Sequence, residues 1–444
     1  MLTDTLGNSV TLQDPASLPT LNEFVHGFIA CEASAVNVLK ISDVDHSPLV
    51  QAYCAALHMF AESRDAATNA RPFMQRAVAA STQASRRERR FVACVAAWVD
   101  GDITRAEKLH EEQAHEFPRD LVSIKLGQYH LFNLGDAPGM LRLALAALPH
   151  AGDIAYLHGM AAFAWEQCHF LDQAQDAARK AITLCRKEPW AHHALAHVML
   201  TNGQIREGQA FMDEMSDTWT GLNSFMVTHN WWHQALFGLE LGQHDDVLRL
   251  YDERVWGVAK DYSQDQVNAV SLLARLELCG VDVGARWREL AAFLKTRVND
   301  HVLPFLDLHY VYGLARAGFP DALELMRSLK DHAAATVESQ PVWDQVALPV
   351  AQGLMAHAQG DFVQTTALLA QALPMLAAIG GSHAQRDLFD QIYLDALMRS
   401  GQWATAQQIV QQRLRGHPSS LRMKRQGERI YASLGLPISV ASLT

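Results

Sequence analysis

Apolar residues recur at intervals of three and four positions through almost the whole chain, in a sequence rich in Ala, Leu, Gln, Arg and Glu. This spacing aligns the apolar side chains along one face of an α-helix. No segment alternates apolar and polar positions as a half-buried strand does. Only the first dozen residues, where Gly7 and Asn8 separate two short β-prone segments, are predicted to form a small hairpin or an extended arm. The pattern therefore predicts an all-α protein.

Glycines divide this helical pattern at regular intervals. Eight of them each follow one apolar run of helix length and precede another: Gly101, Gly135, Gly203, Gly242, Gly280, Gly318, Gly360 and Gly401. The spacing begins at 34 residues and rises to about 40, and the single gap of 68 residues is twice 34. Glycine suits these positions because the residue that ends a helix often adopts the left-handed conformation. A further turn, without glycine, is predicted at residues 168–170.

The repeat resembles the tetratricopeptide repeat, a pair of helices with a period of 34 residues. Trp98 and Gly101 belong to the first helix of one unit, Ala106 begins the packing face of the second helix, and Pro118 ends it. Small residues at such positions allow two helices to approach closely. The predicted fold is a right-handed α-superhelix, an α-solenoid of about nine to ten helical hairpins.

No linker rich in Gly, Ser and Pro divides the repeat, so we expect one continuous array with modified ends. The expected parts are an N-terminal arm and helical cap at residues 1–85, the repeat array at 86–417, and a C-terminal capping helix and tail at 418–444.

Composition excludes several classes of protein. The chain has 444 residues, with 37 Lys and Arg against 48 Asp and Glu, a net charge of −11. This balance argues against a nucleic-acid-binding protein, since phosphate contacts need clustered Lys and Arg. No uninterrupted apolar stretch of about 20 residues predicts a membrane span, and no secretory signal is visible. The six cysteines form no Cys-x-x-Cys pair, which favours buried thiols in a reducing compartment. We expect a cytoplasmic protein without a membrane partner.

Polar and aromatic residues that are unusual inside a solenoid cluster in five blocks. The blocks are Ala194-Leu195-Ala196-His197, His229-Asn230-Trp231-Trp232-His233-Gln234-Ala235-Leu236, Val283-Gly284-Ala285-Arg286-Trp287, Asp307-Leu308-His309 and Gly380-Gly381-Ser382-His383-Ala384-Gln385-Arg386-Asp387. Together they resemble the tetratricopeptide repeat protein 38 family over residues 121–387. The chain departs from that family at Asn268, where an aspartate is expected, and has His383 where asparagine is also accepted. The resemblance implies the fold, and it implies no particular activity.

Two histidine pairs stand out in this set. His193 and His197 are four residues apart on one predicted helix, and His229 and His233 repeat this spacing on the first helix of the next unit. Each pair lies on one helix face, so together the pairs could form a four-coordinate zinc site. No carboxylate nearby offers a further ligand, however, and histidines on a Trp-rich face more often contact the backbone or a ligand. We expect no metal and no cofactor.

The segment 380–387 has a local explanation for part of its sequence. Ser382 and Gln385 are placed for a capping box at a helix start. Arg386 in the first helical turn is opposed by the helix dipole, so it is expected to pair with a buried carboxylate such as Asp307 or with an anionic ligand. Asp307 and His309 are two residues apart and do not face each other on a helix.

Two functions remain open from the sequence. The first is a binding module that holds a small molecule or a peptide terminus in a concave pocket, with a homo-oligomer as a possible state. The expected ligand-binding residues are His197, His229, Asn230, Trp232, His233, Asp307, His309, Gln385, Arg386 and Asp387. The second is a hydrolase or lyase that uses the same pocket. Its candidate catalytic residues are His229 and His233 as acid and base, Arg386 as anion stabiliser, and Asp307 and His309.

Both functions need the polar blocks to share one pocket. The helix of His229 and His233 and the helix start at residues 382–387 are about 150 residues apart in sequence. A shallow solenoid would separate them by roughly 40 Å, taking helix layers of about 10 Å. We expect a tightly wound superhelix that brings the two together.

Overall fold

The computed structural model describes residues 2–338, 340–416, 418 and 420–436. Most of these residues lie in helices. The α-helices are α1 (Leu18–Ala30), α2 (Pro48–Met59), α3 (Ala66–Ala80), α4 (Arg86–Val99), α5 (Ile103–Glu116), α6 (Leu121–Asn133), α7 (Ala137–Ala151), α8 (Ala155–Gln167), α9 (Leu171–Leu184), α10 (Pro189–Thr201), α11 (Ile205–Met215), α12 (Ser224–Leu241), α13 (His244–Leu250), α14 (Ser263–Leu278), α15 (Arg286–Leu294), α16 (Pro304–Arg316), α17 (Asp321–Thr336), α18 (Leu348–Gln359), α19 (Phe362–Ala372), α20 (His383–Arg399), α21 (Trp403–Gly416) and α22 (Leu421–Ser433). Short 3-10 or π turns are Pro15–Ser17, Ala33–Ile41, Ser81–Gln83, Ser216–Thr218, Tyr251–Val255, Lys295–Arg297, Trp343–Ala347 and Leu373–Ile379.

Consecutive helices pair into hairpins at the predicted glycines. All eight turn glycines have positive φ angles, from +70° at Gly203 to +84° at Gly280. At the predicted turn without glycine, His169 takes the left-handed conformation instead, with φ of 61°. α4 packs on α5 and α8 packs on α9, and Ala106, which faces such a contact, is fully buried. The all-α, tetratricopeptide-like fold is confirmed.

The N-terminal hairpin is also present. Strand β1 (Leu2–Thr3) pairs antiparallel with β2 (Ser9–Val10), and Gly7 in the turn has φ of +82°. The carboxylate of Asp4 closes the turn, because it accepts hydrogen bonds from the backbone N–H groups of Leu6 and Asn8. These two strands form the whole of the sheet within the described residues.

The contacts divide the chain into two compact units. Unit 1 comprises Met1–Leu195 and Asp217–Met226, and unit 2 comprises Ala196–Ser216 and Val227–Thr444. The division expected from the sequence, with boundaries near residues 85 and 417, stays a prediction. The expected C-terminal capping helix corresponds to α22, whereas the tail from residue 437 onward lies outside the described residues.

Helices that are distant in sequence converge inside unit 2. α14 packs against α20, although two complete hairpins lie between them in the chain. At the end of α12, the carboxylate of Glu240 accepts hydrogen bonds from Ser420 at 2.6 Å and from Arg422 at 3.0 Å, next to and within α22. The repeats of unit 2 therefore curve strongly enough to join helices far apart in the sequence.

One helical stretch among the described residues, Phe362–Ile379, is long and apolar enough to cross a membrane by length and composition alone. A packed core helix passes the same test, so a single stretch of this kind is weak evidence. Here α19, which forms most of it, packs between α18 and α20. We therefore interpret this stretch as a packed helix of a repeat hairpin.

Gly381 provides a test of close packing at the start of α20. Its φ is +78°, and an added Cβ would lie 2.7 Å from the Phe305 ring, whereas Gly318 has φ of +71° with open space around it. We expect Gly318→Ala to lower the free energy of unfolding by about 1 kcal/mol because of the left-handed backbone. Gly381→Ala should cost roughly 1 to 3 kcal/mol more because it also overpacks the core. Urea unfolding measures both; equal losses would contradict the close contact.

Candidate functional site

A chain of buried hydrogen bonds links α12 to α14. His229 donates from Nδ1 to Oδ1 of Asn268 at 2.9 Å, and Asn268 donates to the Thr228 hydroxyl at 3.4 Å. Thr228 in turn donates to Asp265 at 2.7 Å. Burial lowers the pKa of His229 to about 3, against the opposing effect of the Asn268 hydrogen bond. The imidazole is therefore neutral at physiological pH, with Nε2 as an acceptor.

Aromatic rings extend this arrangement within unit 2. The His229 ring stacks on Trp232 with centroids 5.2 Å apart, and His233 meets it edge-on at 4.9 Å. The His197 ring centroid lies 4.4 Å from that of His233. Three of the predicted histidines are thus neighbours. His193 belongs to unit 1, where its ring contacts Phe163 and Trp190.

Arg275 is the residue that the sequence analysis missed. It lies on α14, seven residues after Asn268, and is 2% exposed. Its guanidinium carbon lies over the Trp232 ring at 5.3 Å from the centroid. Its Nη1 donates to the Ser271 hydroxyl, and its Nη2 donates to the backbone oxygen of Ala384 at 2.5 Å. Arg275 therefore contacts both the Trp232 helix and the start of α20, the two elements expected to meet.

His309 lies on α16 near the same arginine. Its Nδ1 donates to the backbone oxygen of Phe305 at 2.8 Å, and its ring meets Phe389 of α20 edge-on at 5.5 Å. Burial lowers the pKa of His309 to about 4, and the positive charge of Arg275 contributes to that shift. Since Nδ1 carries the proton, Nε2 is an acceptor, and within the described residues it has no hydrogen-bond partner. We call His229, Trp232, Asn268, Arg275 and His309 the inner cluster.

Asp307 does not join the inner cluster. Its carboxylate bonds to Nδ1 of His301 at 2.6 Å, in the loop before α16. The predicted ion pair between Asp307 and Arg386 is therefore wrong. The sequence could not show this, because His301 lies in a loop and has the left-handed conformation, with φ of 45°. Burial raises the pKa of Asp307, and the hydrogen bond and charge of His301 oppose that rise.

The contacts continue from His301 to Ser328, whose hydroxyl lies 2.7 Å from Nε2 of the imidazole. This order of Asp, His and Ser matches the connectivity of a serine-hydrolase triad. The Ser328 hydroxyl, however, donates to Asn299 at 2.9 Å rather than to the imidazole. Ser328 also lies in the middle of α17, where backbone N–H groups bond within the helix and form no oxyanion hole. We interpret these hydrogen bonds as structural contacts that hold the loop before α16 in place.

The segment 380–387 begins α20 as the sequence suggested. Ser382 and Gln385 form the capping box: Gln385 Oε1 accepts from the Ser382 N–H at 2.8 Å, and the Ser382 hydroxyl accepts from the Gln385 N–H at 3.3 Å. Arg386 is half-buried and donates to the backbone oxygens of Gly380 and Gly381. These carbonyls precede the helix and offset the unfavourable position of Arg386 in its first turn.

Asp387 forms an ion pair with Arg413 of α21 and also accepts from Gln391. Burial opposes ionisation of Asp387, but the positive charges of Arg413, Arg422 and Arg275 outweigh it and hold its pKa below the usual range. The side chains of Arg386 and Asp387 thus have protein partners. Asn230 differs: it is fully buried, and neither polar atom of its side chain has a hydrogen-bond partner in the described part of the chain.

The cysteines are less uniformly buried than expected. Cys31, Cys54 and Cys94 are buried, but Cys168, Cys185 and Cys279 are half-buried. Burial raises the pKa of the Cys54 thiol to about 12 and also raises that of Cys279. A thiol with a raised pKa is a poor nucleophile, so neither carries covalent chemistry.

The chain is similar to solved structures at 11–13% sequence identity. No family model matches the chain. Similar solved structures include the complex titled Naa15/Naa10 bound to HypK-THB (12% identity, 79% of this chain and 61% of that chain, TM-score 0.25). Two others are a human IFIT1 dimer with PPP-AAAA (13%, 100% and 96%, TM-score 0.42) and the TPR domain of P58(IPK) (11%, 79% and 99%, TM-score 0.21). The last of these is a domain of the tetratricopeptide repeat type.

Such low identities and TM-scores carry no argument about function, and the chain spans 61% of the length of the first structure. The tetratricopeptide-like fold rests on the hairpins themselves. Membership of the tetratricopeptide repeat protein 38 family stays a prediction.

Burial keeps His229 neutral beside the uncharged amide of Asn268, and this can be tested by pH. The folded state holds His229 neutral, with a pKa near 3, while the unfolded chain protonates it below its usual range near 6.5. Stability should therefore fall as pH falls below about 6.5, by up to about 1.4 kcal/mol per pH unit for this residue. In Asn268→Asp, a carboxylate faces the imidazole and raises the pKa of His229, so the fall should become shallower. Urea unfolding between pH 7.5 and pH 5 measures the slope, with the exposed Asn202→Asp as control.

The neighbouring imidazoles allow a direct test for metal. Nitrogen atoms of His229 and His233 lie within 4.8 Å of each other, and imidazole is a good zinc ligand. We expect purified protein to contain no stoichiometric zinc, since His229 is held by the neutral amide of Asn268 rather than by a carboxylate. Elemental analysis checks this. One zinc per chain that disappears in His233→Ala would contradict the expectation.

Proposed function

We propose that this protein is a tetratricopeptide-like binding protein that holds a small molecule or a peptide terminus at the inner cluster of unit 2. The observation that carries the proposal is the buried guanidinium of Arg275, which is enclosed by Trp232 and the start of α20. A charged group is rarely buried in a protein without a partner or a role. Binding sites commonly combine such a group with aromatic walls.

Unused hydrogen-bonding groups beside Arg275 support the proposal. Trp232 is fully buried, and its indole N–H has no acceptor among the described residues. Nε2 of His309 is likewise buried without a donor. Leaving a buried polar group unsatisfied costs about 1 to 3 kcal/mol, so natural proteins rarely leave two of them near one buried charge. A ligand that carries both an acceptor and a donor would satisfy them.

Seven of the ten predicted ligand-binding residues fall into three groups under this proposal. His229, Trp232 and His309 surround Arg275 or its neighbours and are proposed to contact the ligand. Arg386 and Asp387 are engaged by Gly380, Gly381 and Arg413, and we propose that they shape the start of α20. His197 and His233 extend the ring cluster next to His229. The enzyme alternative assigned proton transfer to His229 and His233, and a pKa near 3 makes His229 a weak base at neutral pH.

A ligand screen tests the proposal. Full-length protein is screened by thermal shift against a library of metabolites and of peptides with free termini. A ligand at 100 times its Kd adds about 2.7 kcal/mol to the free energy of unfolding, which is readily detected. Trp232→Phe removes the indole N–H donor, and His309→Gln replaces the imidazole acceptor with a differently placed amide, so each should weaken binding about tenfold.

The matched control is His244→Gln, which alters a histidine at the start of α13, outside the inner cluster. Binding should be unchanged in this variant. A ligand whose affinity is the same in Trp232→Phe, His309→Gln and His244→Gln binds elsewhere, and that result would contradict the proposed site.

A further inference from the structure

The charges around Arg275 are unequally paired. Four guanidinium groups converge near the start of α20 and α22: Arg275, Arg386, Arg413 and Arg422. Three carboxylates accompany them: Asp387, Asp390 and Glu240.

The carboxylates are directed at the other arginines. Asp387 pairs with Arg413, and Asp390 lies 3.8 Å from the same guanidinium. Glu240 pairs with Arg422 at 3.0 Å. Arg275 contacts only neutral acceptors in the described part of the chain, namely the Ser271 side chain and backbone oxygens. Arg386 also donates to backbone oxygens, but it is half-buried, whereas Arg275 is 2% exposed. Arg275 is therefore the almost fully buried guanidinium that no carboxylate contacts in the described part of the chain.

This charge is also the most deeply buried of the four. Burial lowers the pKa of Arg275 to about 10, and the charges of Arg422 and Arg413 add to the effect, while Asp387 opposes it. Neutral hydrogen bonds compensate a buried charge only in part. A planar guanidinium with five N–H donors is suited to a carboxylate or a phosphate, which it binds through two parallel hydrogen bonds.

We propose that Arg275 binds the carboxylate of the ligand, an inference that rests on the proposed function and names the class of molecule. One carboxylate charge offsets the single charge of the Arg275 guanidinium, whereas a doubly charged phosphate would exceed it. The Trp232 N–H can only donate, so it too requires an acceptor such as a carboxylate oxygen. The rings of Trp232, Phe305 and Phe389 favour an apolar or aromatic body.

His309 adds a second requirement. Its Nδ1–H is used by the Phe305 backbone oxygen, so its Nε2 can only accept. The ligand that suits the inner cluster therefore carries an O–H or N–H donor beside its carboxylate. Hydroxy acids, N-acylated amino acids and peptide C-termini share this chemistry.

The first test needs no ligand. Arg275→Met replaces the buried charge with an apolar side chain of similar length, and Arg413→Met is the matched control because it leaves Asp387 without its ion pair. If Arg275 is unbalanced, its variant should keep or raise the midpoint of urea unfolding, while Arg413→Met lowers it. A loss in Arg275→Met as large as that in Arg413→Met would overturn the proposal.

The second test uses matched acids and amides on full-length protein by isothermal titration. The probes are 3-phenyllactate, N-acetylphenylalanine and 3-phenylpropanoate, each compared with its primary amide. We expect the two acids with a donor to bind tightest and every amide to bind at least about tenfold more weakly. In Arg275→Met, acid and amide should bind alike, and Arg275→Lys should recover part of the difference.

The outcomes separate this inference from the proposed function. Amides that equal the acids in the unaltered protein, with binding still lost in Trp232→Phe, would retain the site and overturn the recognition of an anion. Tighter binding of phenyl phosphate than of 3-phenylpropanoate would overturn the choice of a carboxylate. Failure of every acid at millimolar concentration would overturn the inference, and the broad ligand screen would still decide whether the inner cluster binds anything.

Discussion

The interior of unit 2 depends on how one charged side chain, Arg275, is kept away from water. The guanidinium lies over the Trp232 ring on one side and donates to the start of α20 on the other. Three helices from different hairpins must therefore remain in register for its hydrogen bonds to α20 and its contact with the Trp232 ring to be made. Because removing a charge from water costs several kcal/mol, this arrangement fixes the curvature of the repeats around it more strictly than apolar contacts alone would.

The fold was predictable from the sequence because its signals are local. A residue such as Gly360 ends a helix in the left-handed conformation, and only its own backbone and its neighbours decide that. The same holds for the capping box of Ser382 and Gln385, whose partners are three residues apart. Even the turn without glycine at His169 followed from the repeat period.

The site was only partly predictable because its contacts cross repeats. Asp307 was expected to pair with Arg386, but its carboxylate bonds to the loop residue His301. Arg275 lies among apolar residues of α14. It follows Asn268 by seven residues, so the sequence places both residues on one face of the helix. Whether that face meets another helix depends on the small rotation between successive hairpins, summed over several units. No local pattern encodes that sum.

The protonation states of the two buried imidazoles determine the net charge of the inner cluster. Burial lowers the pKa of His229 to about 3 and that of His309 to about 4, so both imidazoles are neutral at physiological pH. Burial keeps them neutral although the hydrogen bonds to Asn268 and to the Phe305 carbonyl raise both pKa values, because these acceptors add no full negative charge. An aspartate at position 268 would favour an imidazolium, and a second cation would then lie near Arg275. With asparagine there, the guanidinium is the only charged group of the five, and the cluster presents one cation among neutral donors and acceptors. That combination favours a singly charged anion over a neutral or a cationic ligand.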